Sequence, residues 1–178
     1  ERALAAAGAE WGHEWAGGLR VDRVLDEGPA NLGAFRVEAV RADGHTSDGL
    51  AYHLVDQGVL VTGDYLSGMT YPFLGGGLAE AIATVRRLVE VVERAALRWV
   101  VPGHGAPLSP AEARAVGDGD LAYLSGLEQA VREARERELA PGPALLHVFA
   151  VEPPRPTTPD FEIYALRAAN ARAVLADA

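Results

Sequence analysis

The 178-residue chain contains no cysteine. Disulfides, thiolate metal sites and cysteine nucleophiles are excluded together. This usage fits a cytoplasmic protein, and the cytoplasm is the expected location. Lysine is missing as well, since all 16 basic residues are arginine. Schiff-base chemistry and a P-loop lysine are therefore excluded. The Ala-, Gly- and Arg-rich composition reads as a GC-rich genome rather than as a function. No run of 18 or more apolar residues occurs, so no transmembrane helix is expected. The N-terminus lacks the charged and apolar regions of a signal peptide. It also lacks an initiator methionine; the single Met is Met69. The chain is expected to be processed or a piece of something longer. Gly-x-Ser-x-Gly is absent too, and Ser67 and Ser125 sit in Leu-Ser-Gly contexts without a nucleophile elbow. A serine hydrolase therefore ranks last.

Clustered cations are also scarce. The net charge is −9. Phosphate neutralisation needs clustered basic residues, so nucleic acid is not an expected partner. Arg86-Arg87 and Arg132/Arg135/Arg137 are interleaved with Glu and read as solvated helix faces. The expected partner is a small-molecule substrate, with no membrane, and the oligomeric state is left open.

What is present suits one core, with 49% hydrophobic residues. Residues 2–7 read as the end of a helix stopped by Gly8, and 9–15 as a short strand with His13 at its edge. Residues 19–25 alternate as a strand, followed by a turn at Glu27-Gly28-Pro29. Phe35, Val37 and Ala39 mark a half-buried strand. Apolar runs at 50–55 and 59–62 flank a turn at Asp56-Gln57-Gly58. From Leu78 the period changes: Ile82, Val85, Val89 and Val92 form one helical face. Residues 99–101 are a buried strand. Ser109-Pro110-Ala111-Glu112 is a capping box that starts a helix. Gly117-Asp118-Gly119-Asp120 weakens or breaks that helix at a solvated junction. Residues 144–151 fit helix or strand equally, with His147 a packing residue. Thr157-Thr158-Pro159-Asp160 starts a last helix. Strands followed by a helix, a strand and more helices point to a layered α/β architecture.

The chemistry sits at strand ends. His45 follows Gly44, Asp64 follows Gly63 after an apolar strand, and His104 lies between Gly103 and Gly105 with Pro102 before it. A metal site without cysteine must use imidazole and carboxylate, which suit zinc, iron or manganese. Loops at one rim of a sheet bring such ligands together. Any one of these residues alone reads as an ordinary turn residue. All three in these settings read as ligands. His53, alternating with Tyr52 and Leu54, reads as a strand residue.

Gly44-His45-Thr46, Thr62-Gly63-Asp64 and Pro102-Gly103-His104-Gly105, in this order and spacing, resemble the metallo-β-lactamase fold superfamily. The resemblance covers most of the chain to about residue 140. It implies an αβ/βα sandwich, here incomplete and mainly the C-terminal half. Residues 1–140 would form the N-terminally truncated domain, with the proline-rich segment and final helix of 141–178 packed on it. It implies one or two zinc ions, with iron or manganese as alternatives. His45 would be the third histidine of the first site, Asp64 would bridge the metals, and His104 would serve the second site. The metals would polarise the substrate and lower the pKa of a bridging water. Small esters, thioesters and lactones are the implied substrates.

Two departures matter. The superfamily's His-x-His-x-Asp-His signature is absent and is expected upstream of the first residue. Three ligands cannot close two metal sites, so this segment alone is expected to be inactive. The alternative is a non-catalytic domain of the same fold used for binding or assembly. Ser47-Asp48 stands where the superfamily often has Pro-Gly, and Asp48 reads as a turn residue. Tyr65, Tyr71 and Phe73 follow Asp64, and lining of a substrate pocket and plain packing remain equal readings for them.

Overall fold

A computed structural model of the chain describes residues 23–155 and 163–176. The expected helix at 2–7, the strand at 9–15 with His13, and the helix start at 157–160 lie outside these residues. The described strands form one five-stranded sheet in the order β1 (Gly28–Leu32), β2 (Phe35–Arg41), β3 (Leu50–Leu54), β4 (Val59–Gly63) and β5 (Trp99–Pro102). The first four are antiparallel neighbours, whereas β4 and β5 run parallel. A parallel pair needs a crossover, and α1 (Leu78–Arg94) supplies it. Helices α2 (Pro110–Glu136), α3 (Pro141–Phe149) and α4 (Ile163–Ala176) follow.

The helical period sets the core. Ala81, Ile82, Val85, Leu88, Val89 and Val92 of α1 are buried. They join Val40, Ala51, Leu60 and Val100 from one sheet face and Leu124 and Leu127 from α2. Deleting a buried leucine from such a cluster costs about 2–5 kcal/mol. The other sheet face is also apolar. Val37 pairs with Leu54, Tyr52 with Val61, and Val61 with Val101. A sheet apolar on both faces is built to be covered on both.

The capping box forms as expected. Glu112 N donates to Ser109 Oγ at 3.3 Å and Ser109 N donates to Glu112 Oε2 at 2.8 Å.

Several expectations give way. Gly28 and Pro29 are not a turn but the start of β1. That strand is at the sheet edge, where a missing N–H is tolerated. Residues 23–25, the described end of the expected 19–25 strand, are irregular. The Gly117–Asp120 stretch does not break α2, which runs on through it. Gly117 is small because α1 crosses closely there: a Cβ would collide with Val89. Asp120 is buried rather than solvated and pairs with Arg155 at 2.6 Å. Residues left open between helix and strand form α3. His147 does more than pack, since its Nε2 lies 3.1 Å from Glu133 Oε2. No helix among the described residues is long and apolar enough to cross a membrane.

Candidate metal centre

Strand direction brings three chain segments to one edge of the sheet. Parallel β4 and β5 end together, so Asp64 and His104 emerge side by side. Antiparallel β3 starts at the same edge, and His45 precedes it.

Each segment is shaped locally. In the turn before β3, Ala42 N donates to Gly49 O at 2.8 Å and Gly44 N to Thr46 O at 3.1 Å. Gly44 adopts φ 110°, and a Cβ there would come within 2.5 Å of Ala81 N. Only glycine meets both demands. Asp43 anchors this turn to α1. Its carboxylate accepts from Arg87 at 2.7 Å and Arg41 at 2.8 Å, while Thr84 Oγ1 donates to its carbonyl at 2.6 Å. Burial pushes the Asp43 carboxyl up, but hydrogen bonds from Arg41 and Thr84 and the charges of Arg41 and Arg87 hold it below its usual value. Arg87, expected on a solvated face, is thus a tether of the His45 turn.

The Asp64 and His104 segments are laced together. Gly103 N donates to Gly63 O at 2.7 Å. A Cβ on Gly103 would sit 2.7 Å from Asp64 Oδ1, so the glycine makes room for the carboxylate. Ser67 Oγ donates to His104 O at 2.8 Å and accepts from Met69 N at 3.1 Å and Thr70 N at 3.2 Å. Ser67 is therefore a clamp.

The three residues singled out in the sequence meet. His45 Nε2 lies 3.0 Å from Asp64 Oδ2, and His104 Nε2 lies 3.5 Å from Asp64 Oδ1. Their side chains keep 31%, 34% and 42% exposure for His45, Asp64 and His104, so water and small solutes reach them. The donor set suits zinc, iron or manganese, and one carboxylate facing two imidazoles suits a bridging ligand. Among the described residues, no three His, Asp or Glu side chains are arranged to hold one ion by themselves. His45 Nδ1 is buried with no hydrogen-bond partner among the described residues.

Of the two readings for the aromatics, packing matches Tyr65 and Tyr71, which are buried. Tyr65 donates its hydroxyl to Asp43 O at 2.8 Å, and burial pushes its pKa up to about 12. Tyr71 stacks edge-on with Tyr123 at 5.2 Å. Phe73 differs: it is 38% exposed and meets the His45 ring at 5.5 Å with an interplanar angle of 68°. His53 lies buried in β3, its Nδ1 3.6 Å from Glu38, away from the cluster. Asp48 stands exposed in its turn.

The sequence reading missed the residues that hold the rim. Ser67 and Arg87 act on backbone or through partners distant in the chain. The one available signal was Asp43, next to the glycine-histidine pair.

Solved structures share this arrangement of elements. A metallo-β-lactamase family protein from Thermus thermophilus matches 84% of this chain and 46% of its own, with TM-score 0.57 and 19% identity. A β-lactamase domain protein from Burkholderia ambifaria matches 85% of this chain and 44% of its own, with TM-score 0.53 and 22% identity. A stereoselective inverting sec-alkylsulfatase from Pseudomonas sp. matches 84% of this chain and 25% of its own, with TM-score 0.63 and 14% identity. The chain thus spans about half the length of the first two. No family model matches the chain, and no curated protein matches it in sequence.

Proposed function

Because the chain carries the metallo-β-lactamase fold over about half the length of its solved likenesses, we propose that it supplies one side of a metal-dependent hydrolase centre. The substrates are small esters, thioesters or lactones. One observation carries this reading: Asp64 presents one oxygen to His45 at 3.0 Å and the other to His104 at 3.5 Å. In this reading Asp64 bridges, His45 serves one ion and His104 the other. Bound zinc, iron or manganese would supply Lewis acidity and a water ionised near neutral pH. The chain's own residues bind and orient. Gly103 leaves the space that Asp64 occupies, and Ser67 fixes the backbone of His104. Phe73 offers an apolar wall beside His45 for the acyl or alkyl part of a substrate.

Metal analysis of the protein purified from its own host tests this, together with assays on esters, thioesters, lactones and alkyl sulfates. The last class enters because one likeness is an alkylsulfatase. Bound metal, and loss of both metal and turnover in His104→Ala, are expected. Absent metal, or full activity in His104→Ala, overturns the reading.

A second reading is a non-catalytic domain that keeps the fold for binding or assembly. It is favoured by the shortage of ligands for one closed site among the described residues. It requires that no ester class is turned over.

A further inference from the structure

We propose that Asn170 is a positioning residue of the candidate centre: from α4 it holds the backbone on both sides of Phe73 and so sets that ring edge-on against His45. The functional part of this inference rests on the reading of His45 as a ligand.

Asparagine is a poor helix former, and a buried amide is costly unless its groups are paired. Asn170 is fully buried in the middle of α4. Its pairing explains its presence. Nδ2 donates to Pro72 O at 2.8 Å, and Oδ1 accepts from Leu74 N at 3.0 Å. The Tyr123 hydroxyl accepts from the same Nδ2 at 3.4 Å. The two backbone bonds grip the residues immediately before and after Phe73. The middle side chain is the one left to project, and Phe73 is accordingly 38% exposed while Leu74 and Tyr71 are buried.

The loop then runs directly onto the His45 turn. Gly75 lies so close that a Cβ would collide with His45 O. Gly76 N donates to Gly44 O at 2.7 Å. A second strut holds the loop just upstream, where Arg155 Nε donates to Thr70 O at 2.8 Å. The Asn170 bonds bridge 96 and 98 residues of chain, so the C-terminal helix is tied to the rim. His45 needs such support. Its Nδ1 has no hydrogen bond among the described residues, whereas ligand imidazoles are commonly oriented through that second nitrogen. The edge contact from Phe73 takes that orienting place.

Side-chain NMR of the full chain tests this, without added metal or substrate. In Asn170→Ala, cross-relaxation between the Phe73 and His45 rings is lost, and exchange of the Leu74 amide rises roughly tenfold, the weight of one buried hydrogen bond. Val174→Ala trims a buried side chain of the same helix. It lowers stability and leaves both signals in place. Should Asn170→Ala not fold, Asn170→Leu decides: it keeps the volume and makes neither bond. The ring contact and the protection of Leu74 are then lost together. An unchanged ring contact in the deciding variant, or equal loss in Val174→Ala, overturns the proposal. The readout needs no metal, so failure of the hydrolase reading and failure of this one are told apart.

Discussion

The rim cluster of His45, Asp64 and His104 and the buried residues Asp120 and Asn170 lie on either side of one stretch of loop but obey opposite rules. The rim side chains stay partly open and aim their polar atoms at one another across 3.0 and 3.5 Å. The buried ones spend theirs mostly on protein: Asp120 Oδ1 on Arg155 at 2.6 Å and Asn170 on the backbone of Pro72 and Leu74, with Asp120 Oδ2 left without a hydrogen bond among the described residues. Buried polar groups are costly unless paired, so the inner cluster holds structure. Polar groups gathered at an open rim cost little in stability, because water still reaches them. The comparison separates side chains left open at the rim from side chains that hold the loop.

The largest expected effect lies at the inner cluster. Arg155→Ala leaves the Asp120 carboxylate buried without its partner and removes the donor to Thr70 O. Removing one member of a buried pair costs about 3–5 kcal/mol. Urea unfolding at pH 8 measures it, and a change as small as that of an exposed pair would break the distinction.

Next is a pH effect. Burial pushes the Asp120 carboxyl up to about 7, with Arg155 pulling it back only in part. An unfolded aspartate titrates near ~3.9. The folded state therefore keeps its proton to higher pH than the unfolded state. Stability present at about pH 4 is lost as pH rises through about 7, by roughly 2–4 kcal/mol. Asp120→Asn flattens that part of the profile. Unfolding midpoints across this range, in both proteins, show whether it does.

A smaller effect falls between the clusters. Tyr65→Phe removes the hydroxyl that donates to Asp43 O, which Thr84 still serves. The expected loss is about 1 kcal/mol in thermal or urea unfolding. The smallest belongs to the rim. In metal-stripped protein, His104→Ala shifts stability by no more than about 0.5 kcal/mol, as for an exposed side chain outside the core. A loss of several kcal/mol there would place His104 among the holding residues.

Much of the rim was legible in the sequence and little of the inner cluster was. Glycine beside histidine or aspartate at the end of an apolar run is a local pattern, and strand direction does the rest. The capping box at Ser109 was legible for the same reason, since its partners lie three residues apart. Asp120 was misread because Gly-Asp-Gly-Asp looks like a solvated break. The glycines instead admit α1 and the segment around Pro154, and Arg155 stands 35 residues away. Pro29 was misread as a turn because its place at the sheet edge depends on the whole strand order. Asn170 gave no signal, because its partners are two backbone groups nearly a hundred residues away and the Tyr123 hydroxyl 47 residues away.

Metal content decides the central claim most directly. Protein purified from its own host, and its Asp64→Asn and His104→Ala variants, are assayed by elemental mass spectrometry alongside their unfolding midpoints. Zinc, iron or manganese bound to the unaltered protein and depleted in both variants, with the stability of the metal-stripped proteins nearly unchanged, is the expected result. Metal absent from the unaltered protein, or retained at full occupancy in both variants, contradicts it.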